Sequence, residues 1–401
     1  MPESKKDKQQ PERMRILAFD GGPSSLITLR VLREIEVMFP GFLERTRMFS
    51  GTSLGAFVSL YLAHALTLKQ RKGDTSPSSV QIIDDCIEFN DRITRQFKVR
   101  PINVLRVASG LLPLYDGEGI RSILEETFGE AKLCELDRMV VIEAFDSTVW
   151  RKTTYHQFPP EADVLTTIVD AALASSAFPV LMPLYRSGTN LGERGNNLMM
   201  DGALSNNSTA MTALSDALLY FAYQDGHDAM EDTQSEARYL PRVSILSLGC
   251  TPQSAKWFEK WSEISASLSM FLDSLLLGHP RRPMLKQSYG WLWLLLHNVR
   301  AAMAFVEGGA QSDVRYATEL LGPFRFFRFR PDLNALDVML SLVGNPDTVI
   351  RQSAETARLT WGQEFEAYEL LQKQPPSLRK PWHHLLSWVE EYWMNAPPPT
   401  E

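Results

Sequence analysis

Residues 49–57 read FSGTSLGAF, and the decision lies in the G-T-S-L-G at 51–55. Glycine two places before and two places after a serine is the spacing of a nucleophile elbow. In that turn a strand ends, the serine adopts a strained conformation, and a helix begins. The small flanking residues let the backbone close on itself, which lifts the hydroxyl clear of the turn. The neighbouring residues agree. RMFS at 47–50 suits a short strand, and AFVSLYLAHAL at 56–66 suits a mostly apolar, buried helix. Such a helix start would bring N–H groups and a partial positive charge beside Ser53. On this stretch alone, a small residue in a tight turn remains the competing reading.

Working outward, RILAFD at 15–20 is an apolar run bounded by Gly21-Gly22, the pattern of a buried strand. A helical pattern follows, with Leu29, Leu32, Ile35 and Phe39 on one face. The turn between them, DGGPSS, lacks the G-x-G-x-x-G of a dinucleotide site, and no G-K-[ST] phosphate loop occurs. An α/β-hydrolase elbow follows several strands, whereas this one follows one or two. Downstream, strands are expected at 139–145, 197–200 and 242–249, and helices at about 163–176 and 209–224. Alternation of this kind predicts an α/β fold with a largely parallel central sheet and helices on both faces.

Three stretches in order, DGGPSSL at 20–26, GTSLG at 51–55 and DGALSNN at 201–207, resemble the patatin-like phospholipase family. Lesser similarities are ALASSAFPVLMP at 172–183, ILSLG at 245–249 and FRFRPDL at 327–333. The resemblance implies a patatin-like three-layer fold and lipid acyl hydrolysis by a Ser–Asp dyad. Ser53 would be the nucleophile and Asp201 its general base. It also implies an oxyanion hole on the first loop, where this chain departs from the family pattern. Pro23, Ser25 and Leu26 stand where the family has glycine, arginine and glycine, and proline has no N–H to give. The oxyanion donors expected here are therefore Gly21, Gly22, Ser24 and Leu54. The same acyl-enzyme would serve an acyltransferase or cyclase, and the altered loop leaves open a catalytically weak binding protein. The chemistry calls for no metal or organic cofactor.

The remaining sequence sets bounds. The chain has 401 residues, 44% hydrophobic and 22% charged, within the globular range. A net charge of −7 gives no general attraction to nucleic acid. Three cysteines without a CxxC pair argue against a disulfide framework or a thiolate metal site. The expected partner is a lipid or other acyl ester, with peripheral membrane contact and homo-oligomerisation left open. The location expected is cytoplasmic, because the polar start lacks an apolar signal region.

The expected organisation is a disordered tail at 1–12 and a catalytic domain at 13–345. Within that domain, 80–135 reads as a helical insertion able to act as a lid. A helical extension at 346–394 packs on the domain, and a frayed tail closes the chain at 395–401. Arg92, Arg95, Lys98 and Arg100 would form a cationic edge or a solvated face. Trp382, Leu385, Leu386, Val389 and Trp393 share a helical face and read as core rather than a lipid contact. YGWLWLLLHN at 289–298 raises the same choice. A triad reading would need His227, His279 or His297, none of which lies in a motif.

Overall fold

The computed structural model describes residues 13–22, 25–73, 76–98, 103, 112–157, 165–179, 181–187, 196–226, 236–249, 308–329 and 381–395. Its centre is β1 (Met14–Phe19), an unbroken apolar run. Leu17 and Phe19 enter one hydrophobic core, and Met14, Ile16 and Ala18 enter the other. A strand buried on both faces needs this continuous hydrophobicity rather than alternation.

Around β1 run β2 (Met48–Thr52), β3 (Met139–Asp146), β7 (Val243–Leu248) and β8 (Phe326–Phe329), all parallel, in the order β3-β2-β1-β7-β8. Three antiparallel strands complete the sheet: β4 (Arg151–His156), β5 (Tyr185–Arg186) and β6 (Leu198–Asp201). The sequence reading missed β4 and β5. β4 returns from β3 by a short hairpin and carries charge at its exposed end, and β5 has only two residues.

On one face lie α1 (Ser25–Met38), α2 (Leu54–Lys72), α3 (Ser79–Thr94), α4 (Glu118–Phe128) and α5 (Ile168–Ser175). On the other lie α6 (Ala210–Gln224) and a helix whose described part is 308–321, here α7. The architecture is thus mixed α/β, with a mostly parallel central sheet between helical layers. The helices at 79–94 and 118–128 are part of the first core, through Ile82, Ile83, Phe89, Ile120, Leu124 and Phe128.

The C-terminal helix α8 (Pro381–Trp388) continues as a π-turn through Val389–Met394. Leu385, Leu386, Val389 and Trp393 of the apolar face are buried in that same core. Trp393 stacks on Phe42 at 4.8 Å between ring centroids. The stretch at 289–298 lies outside the described residues.

Candidate active site

β2 delivers the chain to Ser53 at φ 53° and ψ −125°. This left-handed conformation is rare for a residue with a side chain and costs about 1–3 kcal/mol. The two flanking glycines make it feasible. A Cβ on Gly51 would stand 2.3 Å from the carbonyl oxygen of Gly55, and one on Gly55 would stand 2.5 Å from those of Phe19 and Asp20. The Ser53 N–H is taken by Ser175 Oγ at 2.9 Å, and Ser175 Oγ donates to the Glu143 carbonyl at 2.6 Å. Ser175 ends α5 in the Ala/Ser-rich stretch, so its placement has a sequence signal, although its partner has none.

Asp201 reaches Ser53 through strand register. β3 pairs with β4 along one edge, so its pairings with β2 and β6 must share the other. On that edge Thr52 is opposite Glu143, and Asp201 is opposite Ala144. β2 runs parallel to β3 and β6 antiparallel, so the two strands meet end to end. Gly202 permits the junction, because a Cβ there would lie 2.4 Å from the Glu143 carbonyl oxygen and 2.5 Å from Thr52 Oγ1.

Asp201 is 1% exposed and accepts the Ala203 N–H at 2.8 Å. Burial pushes its pKa up from 3.8 to about 7, and the nearby Ser53 hydroxyl and Ala203 N–H only partly offset this. The site thus sets a partly buried Ser53 near a carboxyl whose pKa burial raises to about 7.

The glycine loop lies against the serine. A Cβ on Gly21 would meet Asn207 Oδ1 at 2.7 Å and Ser53 Cβ at 3.0 Å. Asn207 Nδ2 holds the Gly21 carbonyl at 3.2 Å. Gly22 has φ 124°, a conformation that favours glycine. Leu54 is the first residue of α2, so its N–H has no acceptor within the helix. Gly21 and Leu54 are thus beside Ser53, Gly22 follows Gly21 in the same loop, and Pro23 and Ser24 lie outside the described residues.

Sequence reading also missed Glu143. It is fully buried, opposite Thr52 in the β2–β3 pairing, 2.6 Å from Lys152 Nζ and 2.5 Å from Thr212 Oγ1. Burial raises its pKa from 4.5 to about 7, with Lys152 pulling the other way.

His64 packs edge-on to Phe128, and burial lowers its pKa. His156 is 2.7 Å from Asp216. His227, His279 and His297 lie outside the described residues. Arg92 is paired with Glu126 at 2.5 Å, and Arg100 lies outside the described residues. Among the described residues no three His, Cys, Asp or Glu are grouped to hold a metal, and no helix is long and apolar enough to cross a membrane.

Known proteins were compared with this chain. A cGAMP-activated phospholipase of Pseudomonas aeruginosa is 27% identical over 284 residues, covering 68% of this chain and 76% of that protein. Patatin-like protein 2 of Oryza sativa is 27% identical over 150 residues, covering 36% of each. The putative sporulation hydrolase CotR of Bacillus subtilis is 27% identical over 180 residues, covering 43% of this chain and 51% of that protein. The family model for patatin-like phospholipase matches residues 17–214, a span that holds the glycine loop, Ser53 and Asp201. Residues 17–214 are thus a patatin-like phospholipase domain, the domain of a family of lipid acyl hydrolases.

Proposed function

We propose that the chain hydrolyses carboxylic esters of lipids through an acyl-enzyme on Ser53. Ser53 Oγ attacks the ester carbonyl as its proton passes to Asp201. Asp201 returns the proton to the leaving alcohol, and water then releases the acyl group. The N–H groups of Leu54 and Gly22 face the oxyanion, with Gly21 and Ser24 on the same loop. The Ser53 N–H, bound to Ser175, takes no part. The observation that carries this reading is the strand register, which ends β2 at Thr52 and β6 at a fully buried Asp201 opposite adjacent residues of β3. An ordinary carboxylate is a weak base toward an alcohol, and a pKa near 7 narrows the gap.

The test is labelling with a lipid-like fluorophosphonate, read by intact mass and peptide mapping. One adduct on Ser53 is expected. It should be absent in Ser53→Ala and slowed at least 100-fold in Asp201→Asn. An adduct elsewhere, or none on folded protein, would sink the proposal. Product analysis with added alcohols separates hydrolysis from acyl transfer. A large gain in rate in Pro23→Gly would mean that the native oxyanion hole is incomplete.

The Pseudomonas relative is named for activation by cGAMP, and the likeness to it spans 284 residues, more than the family match at 17–214. This supports a second element of the proposal, activation of this chain by a cyclic dinucleotide. Labelling with and without cGAMP tests it, and equal rates would remove it.

A further inference from the structure

We infer that Asp313 and Arg328, both outside the family-matched span, are positioning residues that hold the two loops of the dyad site from one short unit, α7 and β8. This rests on the Ser53–Asp201 reading above.

Asp313 lies on α7 and is 7% exposed. Its Oδ2 accepts the Ser208 hydroxyl at 2.9 Å and the Met211 N–H at 3.1 Å. Both donors belong to the segment that carries the chain from Asp201 into α6. Met211 lies in the first turn of α6, so Asp313 also caps that helix from a distant part of the chain. The helix runs close over the loop: a Cβ on Gly309 would be 3.0 Å from the Ser205 carbonyl oxygen. Next to Asn206, Asn207 holds Gly21, so the fixed segment also touches the glycine loop.

Fifteen residues later, Arg328 on β8 makes a two-pronged pair with Asp20. Nη1 meets Oδ1 at 2.7 Å, and Nη2 meets Oδ2. Nη1 also donates to Ser247 Oγ at 2.6 Å. Asp20 is 1% exposed and directly precedes Gly21-Gly22. A planar fork on a buried carboxylate fixes direction as well as distance. It therefore sets where the glycine loop leaves β1. Neither residue touches the dyad, so each acts through a loop.

The test is the rate of Ser53 fluorophosphonate labelling against pH in the full chain, below the melting temperature of each variant. Asp313→Asn is expected to label 10- to 100-fold more slowly. Its pH midpoint should move toward acid, because a loosened loop admits water to Asp201. Ser208→Ala, which removes one bond, should show a smaller change in the same direction. Arg328→Gln should slow labelling to a similar extent with no change in midpoint, and Arg328→Lys should recover only part of the rate.

If Arg328→Gln fails to fold, Asp20→Asn/Arg328→Gln removes both buried charges together and should fold yet stay slow. Folded variants that keep the wild-type rate and midpoint would overturn the inference. Slow labelling of the Asp313 variants with an unmoved midpoint would overturn the assignment of Asp313 to the Asp201 loop. Failure of wild type to label would instead refute the dyad reading, and this inference with it.

Discussion

Thr52 and Asp201 end their strands opposite consecutive residues of β3, Glu143 and Ala144, on the same edge. The dyad is therefore spaced by backbone pairing, and Gly202 is the point where the two strand ends meet. Gly202→Ala would push a methyl group into the Glu143 carbonyl and Thr52 Oγ1. We expect a loss of about 1–3 kcal/mol of stability and at least a 100-fold fall in kcat. Denaturant unfolding and ester hydrolysis check both.

Ser175→Ala removes the acceptor of the Ser53 N–H and the donor to Glu143. Two buried backbone groups are left unpaired, at a cost of about 1–3 kcal/mol. Without its anchor the strained serine relaxes. We expect kcat to drop 10- to 100-fold with KM nearly unchanged, measured by steady-state kinetics.

The pH dependence follows from burial. Because Asp201 is raised to about 7, it holds its proton below that pH and is then no base. kcat/KM is expected to rise about tenfold per unit as pH climbs toward 7 and to level off above it. Glu143 is raised to about 7 as well. Glu143→Gln should leave the limb in place, which assigns it to Asp201. A limb that vanished in Glu143→Gln would reverse the assignment.

A buried, raised carboxyl also destabilises the fold once it ionises. Asp201 favours the folded state fully below its unfolded pKa near 4, and this contribution is lost as pH rises through about 7. Asp201→Asn should therefore unfold at a higher temperature than wild type at pH 8. The gain should be on the order of 2–4 kcal/mol and should fade toward pH 4. Calorimetry at the two pH values checks it. The same substitution that removes activity would stabilise the protein, as expected where a site works against stability.

Much of this was legible in the sequence, for a physical reason. Strands buried on both faces, such as MRILAF and VSILSL, must be continuous apolar runs, and a strained serine needs its glycines. Both features are local. Ser175, Glu143, Asp313 and Arg328 matter through partners up to 308 residues away in the chain, as with Arg328 and Asp20. No spacing encodes such a contact. The Trp/Leu face at the C-terminus was readable as helical and apolar. What it packs on was set by Phe42 and by Trp388 beside Phe327, which only the fold brings near.

Trp393→Ala removes a fully buried ring that stacks on Phe42. A loss of about 3–5 kcal/mol is expected, read by chemical denaturation. If the loss stayed below 1 kcal/mol, the C-terminal helix would be an accessory.

The Trp393 carbonyl also accepts a 2.9 Å hydrogen bond from Arg15 Nε, across 378 residues of chain. At about 5–20 residues per second, β1 leaves the ribosome roughly 20–75 seconds before the residue whose carbonyl takes the Arg15 side chain. During synthesis the Ser53 turn is made early, while Arg15 of the central strand still lacks its partner at residue 393. The first core closes only when residue 393 arrives, so a nascent chain halted short of it has β1 without the ring that packs on Phe42.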